Sequence, residues 1–381
     1  MCKNQGMKRI LFAKNLACLL TFGLLFSSAC NAQVDEKANS NTQKVMQYLE
    51  NEVYGKRILT GMMDCAWSND IDMDAKVLKD TGKHTALMGY DFMFLTKSDS
   101  RNWYQPSQVE KAKAWWNKGG LVTFCWHWLD PSTRSSKGAS FRTEETSFRI
   151  PWDSASKSLN TESKEFTQIT RDLDTVANYL LELQEAGVVV LWRPLHEACG
   201  NYGKWGGSGK AWFWWGDTGP EAYIALYRYM FDYFTNEKGL HNLIWIWNGQ
   251  EADWYPGDKY VDIVGYDIYD DVNKHKAGDK YYQNLMTWCG SKKMAAISEA
   301  GYVPSTEALK SSSSKWLYYM IWNDDDSLAD DTKKDNNNFW GGTKYNKPED
   351  KTTNAFDTDY QIKLGDTDLK ALFNKMGVTI K

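Results

Sequence analysis

The sequence lacks a strong excess of charge of either sign. Among its 381 residues, 45 are basic and 49 are acidic, which leaves a formal net charge of −4. A nucleic-acid-binding protein normally carries a basic face, so this balance argues against nucleic acid as a partner. A hydrophobic fraction of 42% and a charged fraction of 25% are typical of a soluble globular protein rather than a disordered one.

The sequence also lacks the residue spacings of metal-binding and redox motifs. The five histidines form no HxH or HExxH pattern, so we expect no metal ion and no other cofactor. An acidic run over 324–331 lacks EF-hand spacing and is interpreted as a solvated loop. Export of the chain would permit disulfides, yet the cysteines beyond residue 30 form no CxxC pair. We interpret them as buried thiols: Cys65, Cys125, Cys199 and Cys289.

The apolar run near the N-terminus is too short to span a membrane. Residues 16–26 follow a basic segment and have the length of the apolar core of a signal peptide. Residues 27–30 read SSAC and resemble a lipobox, with Ser at the position where Leu is usual. Cys30 is therefore a candidate acylation site, and cleavage near Ala32 is the alternative. Both interpretations predict export, either as a membrane-anchored lipoprotein of the periplasm or cell surface or as a secreted protein.

These features divide the chain into three parts. We assign residues 1–30 to a lipoprotein-like signal peptide and residues 31–42, which are polar, to a tether. Residues 43–381 are predicted to form a single folded domain. We expect a monomer that meets a membrane only through a lipid on Cys30.

Aromatic residues are abundant: 19 Trp, 21 Tyr and 15 Phe. A core can absorb many of them, but Trp is costly to bury completely because its N–H needs a partner. The surplus therefore indicates a cleft with aromatic walls, the kind of surface on which the apolar faces of sugar rings stack.

The domain alternates between apolar strand-like runs and amphipathic helical stretches. Near-continuous apolar runs are typical of parallel strands that are covered on both faces. Helical patterns fall at 107–117, 168–186, 220–237 and 280–289. Eight strands alternating with helices over this length predict one (β/α)8 TIM barrel. The eight strand candidates are 58–64, 84–91, 121–127, 188–197, 243–250, 261–269, 294–299 and 316–323.

Each strand candidate ends in polar or aromatic residues although its body is apolar. In a barrel these carboxyl ends meet at one mouth, where the active sites of the fold lie. Unpaired charges are expensive to bury, so we expect these side chains to line a wet cleft. They include Asp64, Asp91, His127, Glu197, Gln250, Asp267, Glu299 and Asn323.

Two segments carry a recognisable pattern. Residues 192–197 read WRPLHE, and residues 212–216 read WFWWG. Together they resemble the signature of glycoside hydrolase family 26. The resemblance continues in WHW at 126–128, GYDIY at 265–269, ISEAG at 297–301 and IWN at 321–323, and so covers residues 50 to 325 in order. The family holds mainly β-mannanases, within a clan of barrels whose catalytic carboxylates end strands four and seven.

The resemblance implies roles for individual residues. Glu197 would be the acid/base and Glu299 the nucleophile of a retaining mechanism, in which the two carboxyl groups lie roughly 5–5.5 Å apart. Arg193 and His196 would orient or polarise the carboxylates. The residues that match sugar-binding positions are His127, Trp212, Asp267, Tyr269 and Trp322. Residues 199–210 form a Gly-rich insertion between the two signature segments, where family members commonly run on almost directly.

Several functions remain open at this point. The leading one is hydrolysis of β-1,4-mannosidic linkages in mannan, glucomannan or galactomannan. A β-1,3-xylanase or mixed-linkage β-glucanase of the same family is the runner-up. A non-catalytic glycan-binding barrel is disfavoured, because binding needs the aromatic residues but not both Glu197 and Glu299. A metal-dependent hydrolase is a more distant alternative.

Overall fold

The structure is a computed structural model that describes residues 33–68, 71–99, 105–202, 210–270, 274–323, 340 and 354–380. The predicted signal peptide, Cys30 and the acidic run over 324–331 lie outside the described residues, as do residues 203–209 of the insertion. No helix in the described part of the chain has the length and apolar character needed to cross a membrane.

Eight parallel strands close into a barrel, because the last strand pairs with the first, with Leu59 opposite Tyr318. All eight predicted strands are present, and the predicted (β/α)8 barrel is confirmed. Every strand is buried along its whole length, which explains the near-continuous apolar runs. The strands are β1 (Ile58–Met63), β2 (Leu87–Asp91), β3 (Leu121–Cys125), β4 (Val190–Arg193), β5 (Leu243–Trp247), β6 (Ile263–Ile268), β7 (Met294–Ala300) and β8 (Trp316–Ile321).

Helices surround the barrel. The longest begins after Ser163, whose side chain accepts a hydrogen bond from the Phe166 N–H as an N-cap. It ends before Gly187, whose positive φ of 76° suits a helix stop. The helices are α1 (Ser40–Tyr48), α2 (Met73–Thr81), α3 (Gln105–Asn117), α4 (Lys164–Glu185), α5 (Trp214–Asp217), α6 (Pro220–Asp232), α7 (Asp279–Trp288), α8 (Thr306–Ser311) and α9 (Thr367–Met376).

Shorter elements complete the fold. π-Helical turns extend α1 and α6 over Leu49–Val53 and Tyr233–Glu237, and 3₁₀ turns occupy Ala252–Trp254 and Asp258–Tyr260. A small hairpin pairs Trp152–Asp153 with Ser158–Leu159, and Gln361–Ile362 adds to the start of β1.

The segment expected to be a polar tether contacts the barrel along its described part. The Val34 N–H donates to Asp262 at 2.8 Å, and the Asn39 N–H donates to the His241 carbonyl at 2.8 Å. Helix α1 then begins at Ser40. Residues 33–42 are thus hydrogen-bonded to the barrel at these points.

The four cysteines beyond residue 30 are buried. Cys65, Cys125 and Cys289 are free thiols, and Cys199 is buried at the start of the insertion. Burial raises the pKa of the Cys65 thiol to about 11, which keeps it protonated and unreactive at neutral pH.

Candidate active site

The segment that carries Glu197 leaves the barrel wall earlier than its sequence pattern predicts. β4 ends at Arg193 rather than continuing to residue 197, because Pro194 has no N–H to add to the ladder. Leu195 and Glu197 both have positive φ, 51° and 50°. The Glu197 N–H donates to the Asn248 carbonyl at 2.8 Å, which fixes the turn against the end of β5 and aims the carboxyl group into the mouth.

Glu299 lies within β7 and is only 5% exposed. Arg193 donates from Nη2 to Oε1 of Glu299 at 2.6 Å, and the Tyr269 hydroxyl donates to Oε2 at 2.6 Å. Nη1 of Arg193 bonds to Asn248 Oδ1 at 2.7 Å and is thereby held in place. A cation and a hydroxyl donor, one on each oxygen, stabilise the ionised carboxylate.

Glu197 has a contrasting environment. Gln250 donates to its Oε1 at 3.3 Å, and carboxylate oxygens of Asp267 and Glu299 lie within 4.8 Å of a Glu197 carboxyl oxygen. Burial, followed by the negative charges of Asp267 and Glu299, raises the pKa of Glu197 well above its usual range. The raised pKa favours the protonated form of Glu197, which is the form that a general acid needs.

Asp267, at the end of β6, is held between these two groups. Its Oδ1 accepts a 2.7 Å hydrogen bond from Ser298, and its Oδ2 lies 3.6 Å from Arg193 Nη1. Burial and the charge of Glu299 raise the pKa of Asp267 to about 7. Gln250 also fixes Asp267, because its Oε1 accepts a 3.1 Å hydrogen bond from the Asp267 N–H.

The separation of the two glutamates bears on the type of reaction. Glu197, Asp267 and Glu299 each contribute a carboxylate oxygen to a cluster in which these atoms all lie within 4.8 Å of one another. Inverting glycosidases keep their two carboxyl groups roughly 6.5–9.5 Å apart so that water fits between them. These oxygens of Glu197 and Glu299 lie close enough together for one sugar carbon and its leaving oxygen to meet both groups, which suits a direct attack by one of the carboxylates. Arg193 and Tyr269 donate hydrogen bonds to the carboxylate oxygens of Glu299, and Gln250 donates one to Glu197.

Two histidines connect the site to β2. His196 Nε2 lies 3.2 Å from His127 Nε2, and His127 in turn bonds to Asp91 through its other ring nitrogen and its backbone N–H. Burial, His127 and Arg193 lower the pKa of His196 well below its usual range. His196 is therefore neutral, and the Trp215 indole N–H, which donates to the His196 carbonyl at 2.9 Å, holds its backbone.

Aromatic side chains form the walls of the mouth, as the composition indicates. Trp212 and Tyr269 are 42% and 43% exposed, and within the described residues Leu78 is the one other exposed large hydrophobic side chain. Trp212, Trp322 and His127 line a cleft of about 670 Å³. The other residues that line it are Trp67, Met93, Phe141, Arg142, Glu144, Asn201, Ala211 and Phe213.

The structure thus brings all nine sequence-predicted site residues to one mouth. Sequence reasoning missed Asn248, although its position at the end of β5 was an available signal. It also missed Phe141 and Arg142 in the β3–α4 segment, for which no motif existed. Asp64 was expected to line a wet cleft, but its side chain is buried and accepts a 2.7 Å hydrogen bond from Lys111 on α3.

Comparison with known proteins identifies the family. The family model described as Glycosyl hydrolase family 26 matches residues 34–344, which is most of the chain and includes every residue of the mouth named above. The chain belongs to glycosyl hydrolase family 26. The resemblance seen in the WRPLHE and WFWWG segments is thereby confirmed.

Similar proteins include a mannan endo-1,4-beta-mannosidase of Thermothelomyces thermophilus, 32% identical over 86% of this chain and 61% of its own length. Two Piromyces relatives with the same name are covered over 48% and 45% of their lengths. The chain thus spans about half to three-fifths of these curated relatives.

Solved structures with the same fold include two β-mannanases. A Podospora anserina GH26-CBM35 β-(1,4)-mannanase is 30% identical with a TM-score of 0.72, covering 88% of this chain and 69% of that one. A β-mannanase from a symbiotic protist of the termite Reticulitermes speratus, complexed with gluco-manno-oligosaccharide, is 29% identical with a TM-score of 0.72. It is matched over 88% of this chain and 96% of its own.

Proposed function

We propose that this chain is a retaining β-glycoside hydrolase that cleaves β-1,4-mannosidic linkages in mannan, glucomannan or galactomannan. Glu197 acts as acid/base and Glu299 as nucleophile. The observation that carries the proposal is the contrast between the two carboxyl groups. Glu299 receives hydrogen bonds from Arg193 and Tyr269, whereas burial and neighbouring charge raise the pKa of Glu197. A retaining glycosidase needs one ionised and one protonated carboxyl group.

The geometry supports a two-step reaction. The ionised Glu299 attacks the anomeric carbon while Glu197 protonates the departing oxygen, which gives a covalent glycosyl-enzyme. Glu197, now ionised, removes a proton from water, and that water displaces Glu299 with a second inversion. Asp267 disfavours the charged form of Glu197 before the first step, and Arg193 holds the nucleophile in its reactive form.

The choice of mannan rests on the relatives. Those in family 26 reported above bear the name mannan endo-1,4-beta-mannosidase or β-mannanase, and one solved relative holds a gluco-manno-oligosaccharide. The exposed aromatic faces of Trp212 and Tyr269, beside Trp322, fit a chain of sugar rings. The sugar at the cleavage point is bound by the side chains of His127, Asp267 and Tyr269. Arg193 and His196 lie behind this sugar.

Product analysis tests this proposal. The purified protein is incubated with linear mannan, glucomannan, galactomannan, β-1,3-xylan and mixed-linkage β-glucan, and the first-formed anomer is followed by NMR. We expect mannan-type substrates to yield oligosaccharides whose new reducing ends are first β. Preferential cleavage of β-1,3-xylan or mixed-linkage β-glucan would show that one of these polysaccharides, and not mannan, is the substrate. Binding without cleavage would indicate a glycan-binding barrel, and an α-anomer would refute retention.

We also propose, from the sequence, that the protein is exported and anchored by an acylated Cys30. One acyl chain binds a membrane only marginally, so stable anchoring requires several chains on the N-terminal cysteine. Cys30→Ala should release the protein from the membrane fraction. Light scattering should show that the released protein is a monomer. A mature wild-type N-terminus at Gln33 by mass spectrometry would refute the anchor and leave a secreted enzyme.

A further inference from the structure

One end of the aromatic cleft is lined by groups that the proposed reaction does not use. Arg142, Glu144 and Asn201 line it beside Trp212. The cleft shares His127 and Trp322 with the catalytic mouth, whereas neither Glu197 nor Glu299 is among the residues that line it. A sugar ring beside Arg142 is therefore displaced from the ring that Glu299 attacks.

The backbone around Arg142 is tied to the segment that carries Trp212. Arg142 forms an antiparallel bridge with Phe213, the Thr143 N–H donates to the Trp212 carbonyl at 2.9 Å, and the Trp214 N–H donates to the Phe141 carbonyl at 3.1 Å. This short ladder joins the β3–α4 segment to the segment that follows the acid/base. It fixes the position of Arg142 relative to the Trp212 ring before any substrate binds.

The charged groups Arg142 and Glu144 are exposed. The Arg142 guanidinium lies 5.8 Å from the Phe141 ring centroid, and it has no hydrogen bond or ion pair with any described residue. Glu144 likewise has no such partner within the described part of the chain. A guanidinium only donates and a carboxylate only accepts, whereas neighbouring sugar hydroxyls do both. The two side chains therefore complement a diol on a ring that stacks against Trp212.

We infer that Arg142, with Glu144 and Asn201, forms a sugar subsite beyond the cleavage-point sugar and sets the length of oligosaccharide that is bound. Asn201 lies near the start of the 199–210 insertion in a left-handed conformation with φ 63°, and it lines the same cleft. The base of the insertion thus contributes to substrate binding. This inference rests on the proposed function for its substrate, a neutral β-linked hexose chain.

The test compares linear β-1,4-mannooligosaccharides of increasing length. A hydrogen bond to a charged group contributes about 1.5–3 kcal/mol, so Arg142→Ala should lower kcat/KM at least about ten-fold on oligosaccharides that reach the subsite. The shortest substrate that is cleaved should be unaffected. Arg142→Lys keeps the charge but loses the planar fork, and it should recover part of the loss. Arg134→Ala, in the same β3–α4 segment but outside the cleft, is the matched control.

Two outcomes would overturn the inference. One is an Arg142→Ala variant with unchanged kcat/KM at every length, and the other is an equal loss at every length including the shortest. Affinity is measured in parallel by calorimetry in a Glu299→Gln background, with mannohexaose, xylohexaose and cellohexaose. If the wild type cleaves no mannan but Arg142→Ala still weakens binding of one of these ligands about ten-fold, only the proposed substrate fails. If Arg142→Ala weakens none of them, the subsite fails.

Discussion

The Cα of Gly200 lies directly against the indole ring of Trp212. A Cβ at residue 200 would come within 2.3 Å of Cε3 and 2.7 Å of Cδ2 of that ring, closer than side chains tolerate. Gly200 does not have a positive φ, so the indole, and not the backbone, excludes a larger residue. The exposed face of Trp212 thus keeps its place in the cleft because residue 200 has no side chain.

Gly200→Ala should therefore displace Trp212 and weaken substrate binding. The ring is partly exposed and can move, so we expect the free energy of unfolding to change by less than about 1 kcal/mol, while kcat/KM on mannooligosaccharides falls about ten-fold. The control is a double-mutant cycle with Trp212→Ala. In the Trp212→Ala background the glycine substitution should add little. An equal loss in both backgrounds would show that Gly200 acts through another group.

The hydrogen bond from Tyr269 to Glu299 gives a second prediction. Tyr269→Phe removes a 2.6 Å donor to the nucleophile and keeps the aromatic face. A charge-assisted hydrogen bond contributes about 1.5–3 kcal/mol, so kcat/KM should fall roughly 10- to 100-fold for good and poor leaving groups alike. Tyr281→Phe also removes a tyrosine–carboxylate hydrogen bond, to Asp270 at 2.7 Å, and should leave kcat/KM unchanged. A loss confined to substrates with poor leaving groups would assign Tyr269 to the acid instead.

Asp267 gives a prediction on pH dependence. Glu197 must hold its proton to act as an acid, so its pKa sets the alkaline limb of the kcat/KM profile. Burial is the largest cause of the raised pKa of Glu197, and the charge of Asp267 is the next. Asp267→Asn removes that charge, so the pKa of Glu197 should fall and the alkaline limb should move to lower pH. Because burial remains, the shift should be partial.

A matched substitution checks this assignment. Asp91→Asn also neutralises a buried carboxylate at the mouth, but Asp91 bonds to His127 and is not among the groups that raise the pKa of Glu197. We expect the alkaline limb of the kcat/KM profile of Asp91→Asn to stay at the wild-type pH. An unmoved limb in Asp267→Asn, or a movement to higher pH, would contradict the proposed coupling between Asp267 and Glu197.

The sequence was sufficient for the barrel because its strands are covered on both faces. Runs such as β5 (LIWIW) are buried at every position, so hydrophobicity alone located them, and their polar ends located the mouth. The strand ends were less predictable. The pattern continued β4 to Glu197, but the turn with positive φ at Leu195 and Glu197 depends on a hydrogen bond to Asn248, more than 50 residues away in sequence.

The contacts between site residues follow from barrel register, which sequence spacing does not contain. Gln250 joins Glu197 to the backbone of Asp267 because neighbouring strands bring three distant residues together. The Asp91–His127–His196 series is another example. Family motifs include several of these residues, whereas Arg142 lies in a segment without a motif and reaches the cleft through the bridge to Phe213.

The last prediction separates the roles of the two glutamates by their response to azide. A good leaving group departs without protonation, so Glu197→Ala should lose most activity on mannan but keep the first step on an activated aryl β-mannoside. Its glycosyl-enzyme should accumulate because no base activates water. Azide needs no base and attacks the intermediate on Glu299, so the product should be the β-mannosyl azide.

Glu299→Ala should be inactive on both substrates, because no covalent intermediate can form. Azide can then enter the space left by the missing carboxylate and displace the leaving group directly, which gives the α-mannosyl azide. NMR of the azide products measures the anomer, and mass spectrometry of the intact protein measures the trapped intermediate. The opposite anomers would exchange the two roles. Full mannan activity in both variants would place the active site elsewhere, against the cluster in which Arg193 and Tyr269 bond to Glu299 and Gln250 bonds to Glu197.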